Sequence, residues 1–131
     1  MNTTTNKHVH IGDLHSDHML WMNTLAFCKQ EIGILERRLG EVAQRNTGKE
    51  MLAELEHLQN QYIRQREVID ELHHDLKQHE NELGKIAREH PIAVDHRLFQ
   101  DHTAQREAMA TFEKLYRELK EECMRWLAKW M

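Results

Sequence analysis

Apolar residues recur at alternating intervals of three and four along almost the whole chain, and this repeat constrains the fold more than any other feature of the sequence. A sustained average period of 3.5 residues is typical of α-helices that pack against one another along a narrow apolar seam. Two places interrupt the repeat: the turn-forming stretch that ends at Gly48, and Pro91, which a helix interior does not tolerate. The repeat therefore predicts three long helices and no sheet.

We predict helices over residues 13–46, 49–89 and 93–130, with turns near 46–48 and 90–92. Short connections place consecutive helices antiparallel to each other. We therefore expect an all-α fold, an elongated antiparallel three-helix bundle with coiled-coil-like packing that runs up, down and up. The bundle is expected to occupy residues 13–131 as one domain, and residues 1–12 to form an N-terminal tail.

The composition argues against several classes of protein. The net charge is −4, from 18 basic and 22 acidic residues, whereas a nucleic-acid-binding domain normally carries a basic face. No apolar run approaches the roughly 18 residues that a membrane span needs, and the first residues lack the apolar core of a signal peptide. The 2 cysteines are far apart and do not suggest a disulfide framework. We therefore expect a cytoplasmic protein with no nucleic-acid partner and no membrane span.

Histidine is unusually frequent in this chain. There are 11 histidines, and all but His57 lie toward the end of the predicted bundle that holds the second turn. Three of them, His18, His79 and His102, take seam positions on the three successive helices. With the turns placed as predicted, His18 lies opposite residue 77 and His79 opposite residue 104. We therefore expect these three side chains to form one layer of the core.

The predicted histidine layer has the composition of a metal site. Imidazole is the commonest transition-metal ligand in proteins, and three imidazoles that converge from three helices suit a divalent zinc, iron, nickel or copper ion with an open position. His15, Glu80 and Asp101 flank the layer and are candidates for a fourth ligand or for partners of the outer ring nitrogens. We predict a metal-binding helical bundle, with a sensor, storage or redox role left open.

A second interpretation requires no metal. Buried histidines in a helical seam also serve as hydrogen-bonded polar core residues that help to set the register. The sequence has no His-Glu-x-x-His or Cys-x-x-Cys motif, and no catalytic triad or glycine-rich phosphate loop is recognisable. The alternative is a structural or adaptor bundle that acts through contacts with a protein partner. The sequence predicts no particular reaction, and under either interpretation binding is expected more than catalysis.

The first helix carries a second stripe outside the seam. Two rows of residues recur there every seven positions, one of large apolar side chains and one of small residues. They are Leu20, Phe27 and Ile34, and Ala26, Gly33 and Gly40. Small residues beside large ones favour the close approach of another helix, and a three-helix bundle has a large surface for its volume. We therefore predict a homodimer through the first helix.

Overall fold

The computed structural model describes residues 11–89 and 96–131 of the chain. Three helices account for nearly all of them: α1 (Ile11–Ala43), α2 (Lys49–Glu89) and α3 (His96–Trp130). The described residues contain no strand. Each helix packs against both of the others, so the predicted all-α three-helix bundle is confirmed. At about 1.5 Å per residue, α1 alone is about 50 Å long.

The predicted apolar seam forms the core of the bundle. Leu25, Ile32 and Leu39 on α1 are completely buried, as are Met51 and Tyr62 on α2. On α3 the same spacing buries a further row, which consists of Met109, Phe112, Tyr116, Leu119, Cys123 and Trp126. Burial of this continuous strip removes the apolar face of each helix from water and supplies the main driving force for folding.

The connection between α1 and α2 is a tight turn whose polar groups are well satisfied. The Asn46 side-chain amide donates hydrogen bonds to the carbonyl oxygens of Val42, at 2.8 Å, and Trp130, at 3.0 Å. One side chain therefore satisfies carbonyl groups at the carboxyl ends of both α1 and α3. The turn predicted near residues 46–48 is confirmed. The turn predicted near 90–92 lies outside the described residues, as does most of the predicted tail over residues 1–12.

Polar contacts on the flanks of α1 connect it to both neighbours. On one flank, Lys29 Nζ lies 2.8 Å from Asp70 Oδ1 of α2, and Glu36 pairs with Arg66 of the same helix. On the other flank, Glu31 accepts a hydrogen bond from Tyr116 of α3. Along its two flanks α1 is therefore joined to α2 and to α3 by polar contacts as well as by the apolar core.

None of the three helices, over the residues that the structure describes, is both long and apolar enough to cross a membrane.

Candidate metal centre

Three histidines, one from each helix, meet in the core. The relative exposures of His18, His79 and His102 are 0%, 5% and 1%. One ring nitrogen from each lies within 4.8 Å of one from each of the other two. The ring centroids of His18 lie 5.0 Å from His79 and 5.1 Å from His102. The predicted convergence of the three histidines in one layer is confirmed.

The local sequence places these rings in the core because each occupies a seam position between apolar neighbours. On α1, Leu14 and Leu25 are buried on either side of His18, and on α2 Leu76 and Leu83 are buried on either side of His79. The layer is therefore a polar interruption of an otherwise apolar core, and a buried polar group is costly unless it has a partner.

His18 lies at the middle of a chain of polar contacts. Its Nδ1–H donates to Glu80 Oε1 at 2.8 Å. Its Nε2 lies 3.0 Å from His79 Nδ1 and 3.1 Å from Gln105 Oε1. A proton between the two ring nitrogens links His18 to His79 in the metal-free chain. A metal cation that replaced this proton would have both nitrogens as ligands.

His102 has one nitrogen with a partner and one without. Its Nε2–H donates to Asp17 Oδ2 at 2.9 Å, and Arg106 donates to the same oxygen at 3.3 Å. Its Nδ1 is buried and has no hydrogen-bond partner among the residues that the structure describes. Because the proton is on Nε2, Nδ1 carries a lone pair in the core. A buried lone pair without a donor matches what a metal ion requires.

Electrostatics favour the neutral form of His102, which is the form that binds metals. Burial lowers the pKa of His102 below its ordinary value of 6.5, and the nearby His18 and Arg106 lower it further, while Asp17 partly offsets these effects. Desolvation alone would raise the pKa of Asp17, but its hydrogen bonds with His102 and Arg106 lower that pKa overall. Asp17 is therefore an anionic acceptor beside a neutral imidazole.

The three flanking candidates lie in different surroundings. Glu80 bridges two histidines, because it bonds to His18 through one oxygen and to the half-exposed His15 through the other. Glu80 therefore lies on the Nδ1 side of the His18 ring, whereas the Nε2 side faces His79. Asp101 is exposed and lies in a second group, with His79 and Glu82, in which one donor atom from each residue lies within 4.8 Å of the others. The geometry thus separates Glu80 and His15 from Asp101.

Three residues at the site were missed in the sequence analysis: Asp17, Gln105 and Trp21. Trp21 stacks on His102 with the ring centroids 4.9 Å apart and an interplanar angle of 29°. Trp21 and Gln105 each lie one helical turn from a seam histidine, and this spacing is a signal that could have identified them. Asp17 is next to His18 in the sequence, and neighbouring positions on a helix do not face each other. Its contact with His102 depends on which flank of α1 faces α3.

No family model matches the chain, and neither the curated proteins nor the solved structures gave a match.

Proposed function

We propose that this chain is a metal-binding helical bundle in which His18, His79 and His102 bind one divalent transition metal ion. One observation carries the proposal: three imidazoles from three helices converge in the buried core with a donor nitrogen from each within 4.8 Å of the others. Neutral imidazole is a good ligand for zinc, ferrous iron, nickel and copper, and in vitro copper is expected to bind most tightly.

The distances within the layer are compatible with a small ion. Zinc–nitrogen bonds of about 2.0–2.1 Å in a tetrahedral site place the ligand nitrogens about 3.3 Å apart. His18 Nε2 and His79 Nδ1 are already 3.0 Å apart. The buried Nδ1 of His102, which has no hydrogen-bond partner among the described residues, is the candidate for the third lone pair.

Carboxylates around the layer strengthen the proposal. Ligating histidines in metalloproteins commonly donate their other ring N–H to a carboxylate, which fixes the tautomer and makes the ligand nitrogen more basic. Glu80 accepts from His18 in this way and Asp17 accepts from His102. We assign both carboxylates to this outer role, His15 to support of Glu80, and Asp101 to the periphery of the site.

A structural or adaptor bundle remains the second candidate, and one observation favours it. His18 has polar contacts at both ring nitrogens in the metal-free chain, so the layer can also serve as a hydrogen-bonded polar core. Metal-dependent stability separates the two candidates, because only a metal site couples the free energy of unfolding to metal concentration.

We further propose that the bundle forms a homodimer through α1. The large stripe residues Leu20, Phe27 and Ile34 are 64%, 60% and 54% exposed. A Cβ atom built at Gly40 would meet nothing within 4 Å, and one at Gly33 would only reach the Arg66 side chain. Packing within the bundle therefore does not require glycine at either position. Close approach of a second helix along the row that also contains Ala26 would require small residues there.

Thermal melting with added metal tests the proposed function. A metal at 100 times its dissociation constant adds about 2.7 kcal/mol to the free energy of unfolding, which raises the melting temperature by about 10 °C for a domain of this size. We expect this shift with Zn²⁺, Ni²⁺ or Cu²⁺ for the wild type and no shift for His79→Ala. His57→Ala is the matched control, since His57 lies outside the layer and pairs with Glu122. An equal shift in His79→Ala and wild type, or no shift with any metal, would refute the proposal.

A further inference from the structure

A small pocket between α2 and α3 adjoins the histidine layer. Its volume is about 180 Å³, and its walls are mostly apolar, formed by Leu72, Leu76, Ala104, Ala108 and Met109. Since a water molecule takes about 30 Å³ of liquid volume, the pocket has room for a molecule of a few heavy atoms. Asp75 and Gln105 complete the lining, and Gln105 is also the residue that contacts His18.

The Gln105 carboxamide lies between the pocket and the buried rings in a defined orientation. Its Nε2–H donates to the backbone carbonyl of Asp75 at 3.2 Å. This hydrogen bond identifies the other end of the amide as oxygen, and that oxygen lies 3.1 Å from His18 Nε2. The amide therefore presents an acceptor on the side of His18 where the metal is proposed to bind.

Three protein ligands do not complete the coordination of a tetrahedral ion. In zinc sites that act on or bind exogenous molecules, the fourth position is open to water or a substrate. We infer, on the basis of the proposed function, that the Gln105 carboxamide covers this fourth position and that the pocket behind it admits a small monodentate ligand to the metal. In this proposal the pocket is the route by which the small ligand reaches the metal ion.

The chemistry of the pocket defines the class of ligand. The small volume favours a compact molecule over nucleotides and peptides. Multiply charged anions are disfavoured because they lose hydration against the apolar walls and because Asp75 also lines the pocket. A compact molecule with one donor atom, neutral or singly charged, fits both limits. A neutral carboxamide oxygen is a weak ligand for a transition metal, so such a molecule can displace it.

Azide titration of the cobalt-loaded protein tests the inference. Azide is a compact monodentate anion, and Co²⁺ reports a change of ligand in its visible absorption spectrum. We expect azide to change this spectrum in the wild type and to bind about tenfold more tightly to Gln105→Ala, the effect expected when one competing polar contact is removed. Ala108→Leu fills the pocket and is expected to weaken azide binding by about tenfold. A steric conflict of about 1.4 kcal/mol corresponds to a tenfold change in the dissociation constant. Ala110→Leu is the matched control, because Ala110 is exposed on the same helix and does not line the pocket.

Each outcome of the titration bears on one proposal. If cobalt binds and azide leaves the spectrum unchanged in both the wild type and Gln105→Ala, the access route is wrong while the metal site stands. Equal azide affinities in Ala108→Leu and Ala110→Leu also overturn the route. Loss of cobalt from Gln105→Ala identifies Gln105 as a required ligand and overturns its role as a displaceable cover. If cobalt does not bind to the wild type, the proposed function itself fails.

Discussion

His102 combines the features that prepare a ring nitrogen for a metal ion. Burial lowers its pKa, so the ring is neutral near neutral pH. Asp17 accepts a hydrogen bond from the Nε2–H of His102, which leaves the lone pair of Nδ1 in the core. Trp21 covers one face of the ring. These contacts therefore also orient His102 for the metal site that we propose.

The role of Asp17 leads to a prediction at the scale of single residues. Asp17→Asn keeps the size of the side chain but removes the charge that supports the His102 tautomer. Outer-shell substitutions of this kind typically weaken metal binding by about 10- to 100-fold, and we expect a loss in this range. Competition of the folded protein with a chelator of known zinc affinity measures the change.

A matched control for Asp17 is Asp70, also on the surface between two helices. Asp70 is paired with Lys29 and lies away from the histidine layer. Asp70→Asn is expected to leave the zinc affinity unchanged. Equal affinities for Asp17→Asn and Asp70→Asn would show that the aspartate beside His102 has no role in metal binding.

At the scale of helices, Glu31 fastens α1 to α3 and makes their contact sensitive to pH. Glu31 accepts hydrogen bonds from Tyr116 at 2.6 Å and Lys120 at 3.0 Å. Desolvation alone would raise the pKa of Glu31, but these bonds outweigh it, and the pKa lies below the ordinary value of 4.5. As the pH falls, Glu31 is therefore protonated in the unfolded chain before it is protonated in the folded chain. The stabilisation is present above about pH 4.5 and is lost as the pH falls through the folded-state pKa.

Glu31→Gln is expected to reduce the free energy of unfolding at pH 7 by about 1–2 kcal/mol and to make it less sensitive to acid. Urea unfolding at pH 7 and pH 3 measures both effects. Glu41→Gln is the control, because Glu41 is exposed and lies 3.9 Å from Arg38 of its own helix. If Glu31→Gln loses as much stability in acid as the control does, Glu31 is not a source of the pH dependence.

The exposed stripe of α1 gives a prediction about self-association. Replacement of Phe27 and Ile34 by Glu places charge in the proposed interface and is expected to convert a dimer to a monomer with little loss of helicity. Leu52→Glu with Ile63→Glu is the matched control on α2, where these residues are 47% and 53% exposed. Sedimentation at micromolar concentration gives the mass. A monomeric wild type, or equal dissociation by both double variants, would contradict a dimer through α1.

For the molecule as a whole, the fold could be predicted because one pattern determines it. Each long apolar repeat specifies a helix with one buried face, and the stretch before Gly48 specifies a reversal of the chain. The ends of the helices were less certain, since α1 ends at Ala43 rather than at the predicted residue 46. Helix ends depend on a few hydrogen bonds, such as those of Asn46, which a periodic pattern does not contain.

The centre of the candidate site was predictable from the sequence, and its edge was predictable in part, since Glu80 and His15 do lie beside the layer. His18, His79 and His102 are seam residues, so an error of half a turn in the register still leaves them in one layer. The register does differ: His18 contacts His79 and Glu80, two to three residues beyond the expected position 77. Other flanking residues do not tolerate such an error, because a small rotation of a helix exchanges one partner for another. Asp17 was missed for this reason.

X-ray absorption by the zinc-loaded, untagged protein tests the central claim most directly, because it counts the imidazole nitrogens around the ion. We predict one zinc per chain with three imidazole nitrogens at about 2.0–2.1 Å, and a smaller imidazole count or loss of the ion in His18→Ala. A coordination shell made mainly of oxygen, or an imidazole count that is the same in His18→Ala as in the wild type, would show that the buried histidine layer is not where the metal binds.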